Sequence, residues 1–272
     1  MEKLKYFRLP SSGCVRLKKS ILIIMLSAVL FPGILTGQTT SDFKPSSKAE
    51  VRIFTGFNTT FSDGENHSSF DLGRAYLGYS YNFTRTLSGR IVYDVADPSA
   101  GNLKFTGMLK FAYLRYHSEK WTVTGGMIPL PEYDHADKKW GYRYIYKPAH
   151  DLYGFGASAD LGLSVVHRIV PWISADITLM NGEGYKLTEA DSAFKAAAGI
   201  TLLPVRNVSL RGYFDNMRKD GINQQTAELI TSWEGRGCLI SAALHYRKNH
   251  KLVEGHDYRA LTMNGSVPLS ER

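Results

Sequence analysis

Apolar and polar residues alternate with a period of two through almost every segment of this chain after residue 50. In the segment RTLSGRIVYDV, Leu87, Ile91 and Tyr93 fall on one face, whereas Arg90 and Asp94 fall on the other. Side chains of a β-strand point alternately to the two faces of a sheet, so this pattern predicts half-buried strands. No convincing amphipathic helix interrupts the alternation, and the sequence therefore predicts an all-β fold.

The connections between the predicted strands alternate in length. Short turns are predicted at 82–86, 118–120, 169–171, 204–207 and 234–237. Longer polar loops are predicted at 62–69, 97–103, 129–152, 181–192, 216–224 and 248–256. Short turns at one end of the strands and long loops at the other are typical of an outer-membrane β-barrel.

The segments between these connections predict about twelve strands. Their ranges are 50–61, 70–81, 87–96, 104–117, 121–128, 153–168, 172–180, 193–203, 208–215, 225–233, 238–247 and 257–266. Aromatic residues fall near strand ends, where membrane barrels carry interfacial girdles: Tyr79, Tyr81, Phe83, Tyr116, Trp121, Trp172, Trp233 and Tyr246. We predict an antiparallel transmembrane up-and-down β-barrel. A secreted β-sandwich with one solvated face is the alternative.

The first 38 residues have the pattern of a cleavable signal peptide. Six basic residues precede the uncharged apolar run Ser20–Leu35, and small and polar residues follow that run. We therefore predict a signal peptide at 1–38, an N-terminal periplasmic segment at 39–49 and the barrel at 50–272. The protein is expected to be exported through the Sec pathway to the outer membrane of a Gram-negative bacterium.

Removal of this leader changes what the net charge implies. The whole chain has a formal charge of +8, but six of its 33 basic residues and one of its 25 acidic residues lie in the leader. The remaining 27 basic and 24 acidic residues give only +3, which argues against nucleic acid as a partner. Cys238 is the single cysteine after the leader, so an intrachain disulfide is excluded.

Between residues 70 and 215 the chain contains five motifs whose order and spacing are informative. They are FDLGRAYLGYSYNFTRTLSGRIVYDV, LKFAYLRYHSEKWTVTGGMIPLPEY, DLYGFGASADLG, ITLMNGEGYK and AAAGITLLPVRNVSLRGYFD. In this order and spacing the chain resembles the phosphate-selective porin O/P-like outer-membrane β-barrel family. It departs from the family after the two prolines, where an acid- and histidine-rich run is followed by KKWGYRYIYK.

The resemblance implies a porin through which small hydrophilic solutes diffuse. More specifically, it implies that these solutes include anions such as phosphate. Its expected partners are outer-membrane lipid and those solutes, and the resemblance suggests a homotrimer.

Family members are longer and end on a strand with a terminal aromatic residue, whereas this chain ends in NGSVPLSER. We therefore expect a chain truncated from a larger barrel, with closure at about twelve strands as the alternative. A non-conducting barrel with a structural role, or a binding role through its loops, is the second functional interpretation.

Charged residues on the polar faces of the strands are the candidates for the pore lining. When apolar residues face lipid, the inward set is Arg74, Arg90, Asp94, Arg115, Asp176, Arg211 and Asp215, with Lys110 and Arg247 near the outer mouth. Planar guanidinium groups bind oxyanions well, so this set could favour anions. The alternative is that the arginines pair with the inward acids and stiffen the wall.

The longest loop, at 129–152, follows a strand that ends at two prolines. Proline cannot donate to a sheet, so Pro129 and Pro131 mark the strand end. Such a loop can fold into a barrel and form its constriction, and its charged residues are the constriction candidates: Glu132, Asp134, His135, Asp137, Lys138, Lys139 and Arg143. A metal or acid–base site in this run is the less favoured interpretation.

No catalytic, cofactor-binding or metal site is expected elsewhere. The eight histidines lack the short spacings typical of metal ligands, and no nucleophile elbow occurs. Ser241 and His245 share an inward face, but without an orienting partner they are weak support for a barrel enzyme. The chain is therefore not predicted to be an enzyme.

Overall fold

The structure is a computed structural model that describes residues 43–62, 65–96, 105–143, 147–187 and 193–268. The predicted signal peptide at 1–38 lies outside the described residues, as does the predicted loop at 97–103. From Lys44 onward the described residues form one compact unit.

Twelve antiparallel strands follow one another in chain order around a single sheet, each paired with the next. They are β1 (Ser46–Ser62), β2 (Glu65–Asn82), β3 (Leu87–Ala96), β4 (Thr106–His117), β5 (Trp121–Pro129), β6 (Ala159–Val170), β7 (Ile173–Met180), β8 (Lys195–Leu202), β9 (Val208–Lys219), β10 (Ile222–Gly235), β11 (Cys238–Lys248) and β12 (Tyr258–Ser266). The prediction of an all-β, up-and-down fold with twelve strands is confirmed, and the two-sheet sandwich is wrong. Within the described residues, β1 and β12 are the two edges of the sheet and do not pair with each other.

The two faces of this sheet have the reverse of the polarity found in a soluble protein. Along β10, the polar Thr226, Glu228 and Ser232 are buried, whereas Leu229 and Trp233 are exposed. The other strands from β3 to β11 follow the same rule, with apolar side chains on the exposed face. We call the buried face the polar face and the exposed one the apolar face.

The long connection after β5 contains two helices, α1 (Pro131–Trp140) and α2 (Ala149–Leu152). The predicted long connection at 129–152 is present, but its helices were not predicted from the sequence. Pro131 stands at the first helical position, where its fixed φ suits a helix. Acidic residues in the first turn and Lys138 and Lys139 in the last complement the helix dipole. Gly141 ends α1 in the left-handed conformation, with φ of 75°, and donates its N–H to Asp137 O.

Among the described residues, a short 3-10 turn at His250–Leu252 is the third helical piece. No helix in the described residues is long and apolar enough to cross a membrane.

Two of the predicted long loops are replaced by strand. The range 62–69 lies mostly within β2, and 216–224 is divided between β9 and β10 by a two-residue turn. That turn is Asp220–Gly221, with positive φ at both residues. An Asp-Gly pair favours a tight hairpin of this kind, so the signal was present in the sequence. In addition, β1 begins at Ser46 rather than 50, and β6 begins at Ala159 rather than 153.

Candidate functional site

Helix α1 lies against the polar face of the sheet, held by a small apolar core. Tyr133 on the helix and Leu130 just before it pack with Tyr113, Ile128 and Met180 from β4, β5 and β7. These apolar side chains point to the otherwise polar face, so they supply the local burial that fixes the helix there. The candidate constriction residues of α1 are therefore positioned by packing as well as by charge.

Arg211 on β9 is the centre of the ion-pair network beneath α1. Its Nε donates to Glu132 Oε2 at 2.6 Å, and Nη1 and Nη2 donate to the Asp176 carboxylate at 2.7 and 3.0 Å. Nη1 also reaches Thr201 Oγ1 at 2.9 Å. All three charged side chains are buried, and a buried guanidinium of this kind needs its charge and its donors matched. Two of the predicted pore-lining residues, Arg211 and Asp176, thus meet one predicted constriction residue, Glu132, in a single network.

Gly199 provides the space for this network. A Cβ at this position would lie 2.4 Å from Arg211 Nη2 and 2.8 Å from Asp176 Oδ2. A side chain larger than that of glycine would therefore force the Arg211–Asp176 pair, which crosses β8, to shift.

A second polar cluster joins α2 to β10 and β11. His150 Nε2 lies 2.7 Å from Glu228 Oε2, and His245 Nδ1 lies 3.2 Å from Glu228 Oε1. His245 stacks on Phe155 with ring centroids 5.1 Å apart, and its Nε2 lies 3.3 Å from Thr262 Oγ1. His150, Glu228 and His245 are all buried, so this cluster is shielded from bulk water.

Glu132 connects the two clusters, because its Oε1 lies 3.9 Å from His150 Nε2. Burial and then the nearby Glu228 carboxylate raise the pKa of Glu132, against the opposing charge of Arg211. Burial alone would lower the pKa of His150, but Glu228 and Glu132 outweigh it and raise that pKa. Two neighbouring groups with raised pKa values, Glu132 and His150, therefore lie between the helical connection and the sheet.

The remaining charged residues after β5 pair mostly among themselves. Arg143 contacts Asp151 at 2.5 Å, Asp137 at 3.3 Å and the Tyr133 hydroxyl. Burial acts to raise the pKa of Asp151, but Arg143 outweighs it and the pKa is lowered.

The basic end of α1 forms two further ion pairs. Lys138 pairs with Asp134 at 2.6 Å along the exposed side of α1, and Lys139 pairs with Glu234 on β10. The structure thus places Asp134 and Lys138 toward open space and ties Lys139 to the wall.

His135 is the one predicted constriction residue that is enclosed without a matching partner in the described part of the chain. Its Nε2 is buried and lacks a hydrogen bond there. Burial, followed by the charges of Arg211 and Lys139, lowers the pKa of His135 to about 3. The imidazole is therefore neutral at physiological pH.

The predicted wall residues all lie on the polar face, but they divide into two groups. Arg74 pairs with Asp94 at 3.1 Å, and Arg90 pairs with Glu50. Tyr185, from the connection after β7, donates its hydroxyl to Asp94 at 2.6 Å. These contacts match the interpretation in which arginines pair with inward acids.

A second group bonds to neutral oxygens. Lys110 Nζ donates to the Tyr76 hydroxyl at 2.9 Å, and Arg115 Nε donates to Thr124 Oγ1 at 3.1 Å. Arg247 donates to Gly154 O at 2.6 Å and to Phe155 O. Asp215 accepts from the Tyr213 hydroxyl at 2.9 Å. Among the described residues, Lys110, Arg115 and Arg247 thus donate to neutral oxygens and form no ion pair with a carboxylate.

Sequence reasoning missed Glu228 and did not join His150 to His245, which are far apart in the chain. One signal was available. The turn between β10 and β11 is Arg236–Gly237, with positive φ at both residues, and a two-residue turn fixes the register of a hairpin. That register places Glu228 directly opposite His245. The approach of His150 depends on how the helical connection folds and has no local signal.

No protein-family model matches this chain, and no curated protein matches it. Among solved structures, it is similar to OmpF of Salmonella typhi in complex with daunomycin, with a TM-score of 0.40 and 13% identity over 79% of this chain and 82% of that one. It is also similar to OccAB4 of Acinetobacter baumannii, with a TM-score of 0.36 and 11% identity over 76% and 68%.

Proposed function

We propose that this protein is an outer-membrane porin through which small hydrophilic solutes diffuse along the polar face of the sheet. The observation that carries the proposal is the reversed polarity of the two faces. Apolar side chains such as Ile177, Leu244 and Leu261 are exposed, whereas charged ones such as Asp94 and Glu228 are buried. Apolar-out, polar-in alternation is what a strand needs when lipid covers one face and a polar interior covers the other.

Exposed aromatic residues support a membrane location. Near the short turns, the apolar face carries Tyr116, Trp121, Trp172 and Trp233, and each is at least 39% exposed. Amphipathic rings at strand ends fit the headgroup level of a bilayer. The predicted signal peptide would direct the chain to the Sec pathway, and the family resemblance favours a homotrimer there.

A cavity of about 330 Å³ between α1 and strands β1 to β4 is the best candidate for the solute path. Six cationic and three acidic side chains line it among the described residues. The three acids, Glu50, Asp134 and Asp137, each form an ion pair. Lys110 and Arg115 donate instead to neutral oxygens, so the cavity carries a surplus of positive charge.

This surplus of positive charge supports the more specific proposal that the porin prefers anions. Phosphate, in keeping with the phosphate-selective porin O/P-like resemblance, is one such oxyanion that a guanidinium fork could bind. In this account α1 forms the constriction, with Asp134, Lys138 and Arg143 beside the path, and Glu132 and Lys139 fixing the helix to the wall.

Solute-driven swelling of lipid vesicles tests the function. Vesicles containing the folded full-length chain should swell in small sugars and phosphate, and swelling should slow as solute size increases. Protein-free vesicles and vesicles with heat-denatured chain are the controls. Swelling no faster than in protein-free vesicles, with correctly folded protein present, would contradict the porin and favour the non-conducting barrel.

A further inference from the structure

Two histidines and a glutamate converge in the buried cluster between α2 and the sheet. Suitable ligand atoms of His150, Glu228 and His245 all lie within 4.8 Å of one another. We propose that these three side chains bind a divalent transition-metal ion, with Glu132 as a candidate fourth ligand because its Oε1 lies 3.9 Å from His150 Nε2. The site lies outside the proposed solute path and does not depend on the proposed function.

The backbone fixes two of the three ligands rigidly. Glu228 on β10 and His245 on β11 are direct partners in the antiparallel register. Side chains of such pairs leave the sheet on the same face with Cβ atoms about 4.5–5.5 Å apart, close enough to hold one ion. The contact of His245 Nε2 with Thr262 Oγ1 orients the ring so that Nδ1 faces Glu228. Hydrogen bonding of the far ring nitrogen is the usual way in which proteins orient a metal-binding histidine.

The contact between His245 and Glu228 is unsatisfied in the tautomer of His245 that carries its proton on Nε2. Neither His245 Nδ1 nor Glu228 Oε1 has a hydrogen-bond partner among the described residues, although they lie 3.2 Å apart. When Nε2–H donates to Thr262, Nδ1 carries a lone pair that faces an oxygen lone pair. Leaving two such buried acceptors opposed costs free energy, and a cation between them removes that cost.

The distances suit a metal ion. Metal–nitrogen and metal–oxygen bonds of about 2.0–2.2 Å place neighbouring tetrahedral ligands roughly 3.3–3.5 Å apart. The Glu228 oxygens lie 2.7 and 3.2 Å from the two imidazoles, so small side-chain rotations create the required spacing. Glu132 Oε1, which has no hydrogen bond in the described part of the chain, lies 3.9 Å from His150 Nε2.

The ligand types select the class of ion. Two imidazole nitrogens with carboxylate oxygen suit Zn²⁺ and its neighbours Co²⁺, Ni²⁺ and Cu²⁺, whereas Ca²⁺ and Mg²⁺ prefer oxygen ligands alone. The two carboxylates, Glu228 and Glu132, would balance the charge of a divalent ion. All four side chains are buried, which is typical of a closed site that holds structure together.

Such an ion would join the helical connection to the wall. His150 is on α2, whereas Glu228 and His245 are on adjacent strands. Metal binding would therefore stabilise the folded state and fix α2, and α1 through Glu132, against the polar face. The competing account is an imidazolium at His150 between Glu228 and Glu132, which would need no metal.

Zinc binding to the full-length chain, folded in detergent micelles after treatment with a chelator, tests the proposal. Titration calorimetry should find one Zn²⁺ per chain, and Co²⁺ should give visible absorption bands of a tetrahedral site. His245→Ala and His150→Ala should each weaken zinc binding more than about 100-fold, because loss of a ligand exceeds loss of its supporting contacts. His117→Ala, at an exposed histidine on β4, is the matched control and should bind zinc as the wild type does.

The outcomes separate the two accounts. If the wild type binds no zinc, or if both ligand variants bind it unchanged, the metal site is wrong and the imidazolium pair stands. If His245→Ala does not fold, His150→Ala carries the test, since His150 lies outside the sheet. Zinc binding is measured without any conductance. The metal site can therefore be disproved while the porin proposal holds, and the porin proposal can be disproved while the metal site holds.

Discussion

Arg211 Nε on β9 donates a 2.6 Å hydrogen bond to Glu132 Oε2 on α1, while the same guanidinium binds Asp176 on β7. One buried cation thus connects a helix to two strands of the wall. The contact explains why a charge-rich connection lies on the polar face instead of extending away from it. It also makes the position of α1 sensitive to single substitutions in the sheet.

Removal of the Arg211 side chain should be strongly destabilising. Arg211→Ala leaves Glu132 and Asp176 buried without their cation, and breaking a buried ion pair in this way costs about 3–5 kcal/mol. The measurement is the free energy of unfolding in urea, in detergent micelles. Arg206→Ala, at an exposed turn residue, should change it by no more than about 0.5 kcal/mol. A loss at Arg211 as small as that at Arg206 would contradict the network.

A methyl group at Gly199 should disturb the same network from the opposite side. Its Cβ would lie 2.4 Å from Arg211 Nη2, so Gly199→Ala should cost about 1–3 kcal/mol in the free energy of unfolding. Gly212→Ala on β9 is the matched control, because its nearest neighbour would be Ile200 Cγ2 at 3.7 Å. That control should be neutral or stabilising by about 0.5–1 kcal/mol. Equal effects at the two glycines would show that Arg211 is free to move away.

The strands and their faces were predictable from sequence because alternation is a local property. Whether a residue such as Asp176 or Ile177 points inward depends only on its parity along the strand. Helix α1 was not predicted although Pro131 and Gly141 mark its ends. The reason is that a proline at this point can equally mark the end of the preceding strand. The contacts of Glu132 and His150 with the wall join residues 79 and 78 positions away, and no local pattern encodes them.

A charge on the apolar face should be costly only if lipid covers that face. Ile177 is 63% exposed in the middle of β7, so Ile177→Arg would be nearly neutral in water. In a bilayer it should reduce the free energy of unfolding by about 2–4 kcal/mol. Val205→Arg, at an equally exposed position in a short turn, should cost no more than about 1 kcal/mol in the same vesicles. Similar small costs at both positions would argue against a membrane-facing surface.

Acid should weaken the fold through His135. Because its pKa is lowered to about 3, the unfolded chain takes up a proton between pH 6.5 and 3 that the folded chain does not. Stability should therefore fall as pH decreases through this window, by up to about 1.4 kcal/mol per pH unit for this group. His135→Gln should remove that part of the slope of unfolding free energy against pH, whereas the exposed His117→Gln should not. An unchanged slope in His135→Gln would contradict the buried, neutral imidazole.

Ion conductance across a planar bilayer tests the central claim most directly. The account predicts discrete conductance steps from the purified wild-type chain, with a reversal potential in a salt gradient that indicates a mild preference for anions. Arg115→Glu should shift that potential toward cations, while Arg85→Glu, at an exposed turn, should shift it much less. Folded protein that inserts into the bilayer but leaves it silent would contradict the porin, and a potential unchanged by Arg115→Glu would contradict control by the charged wall.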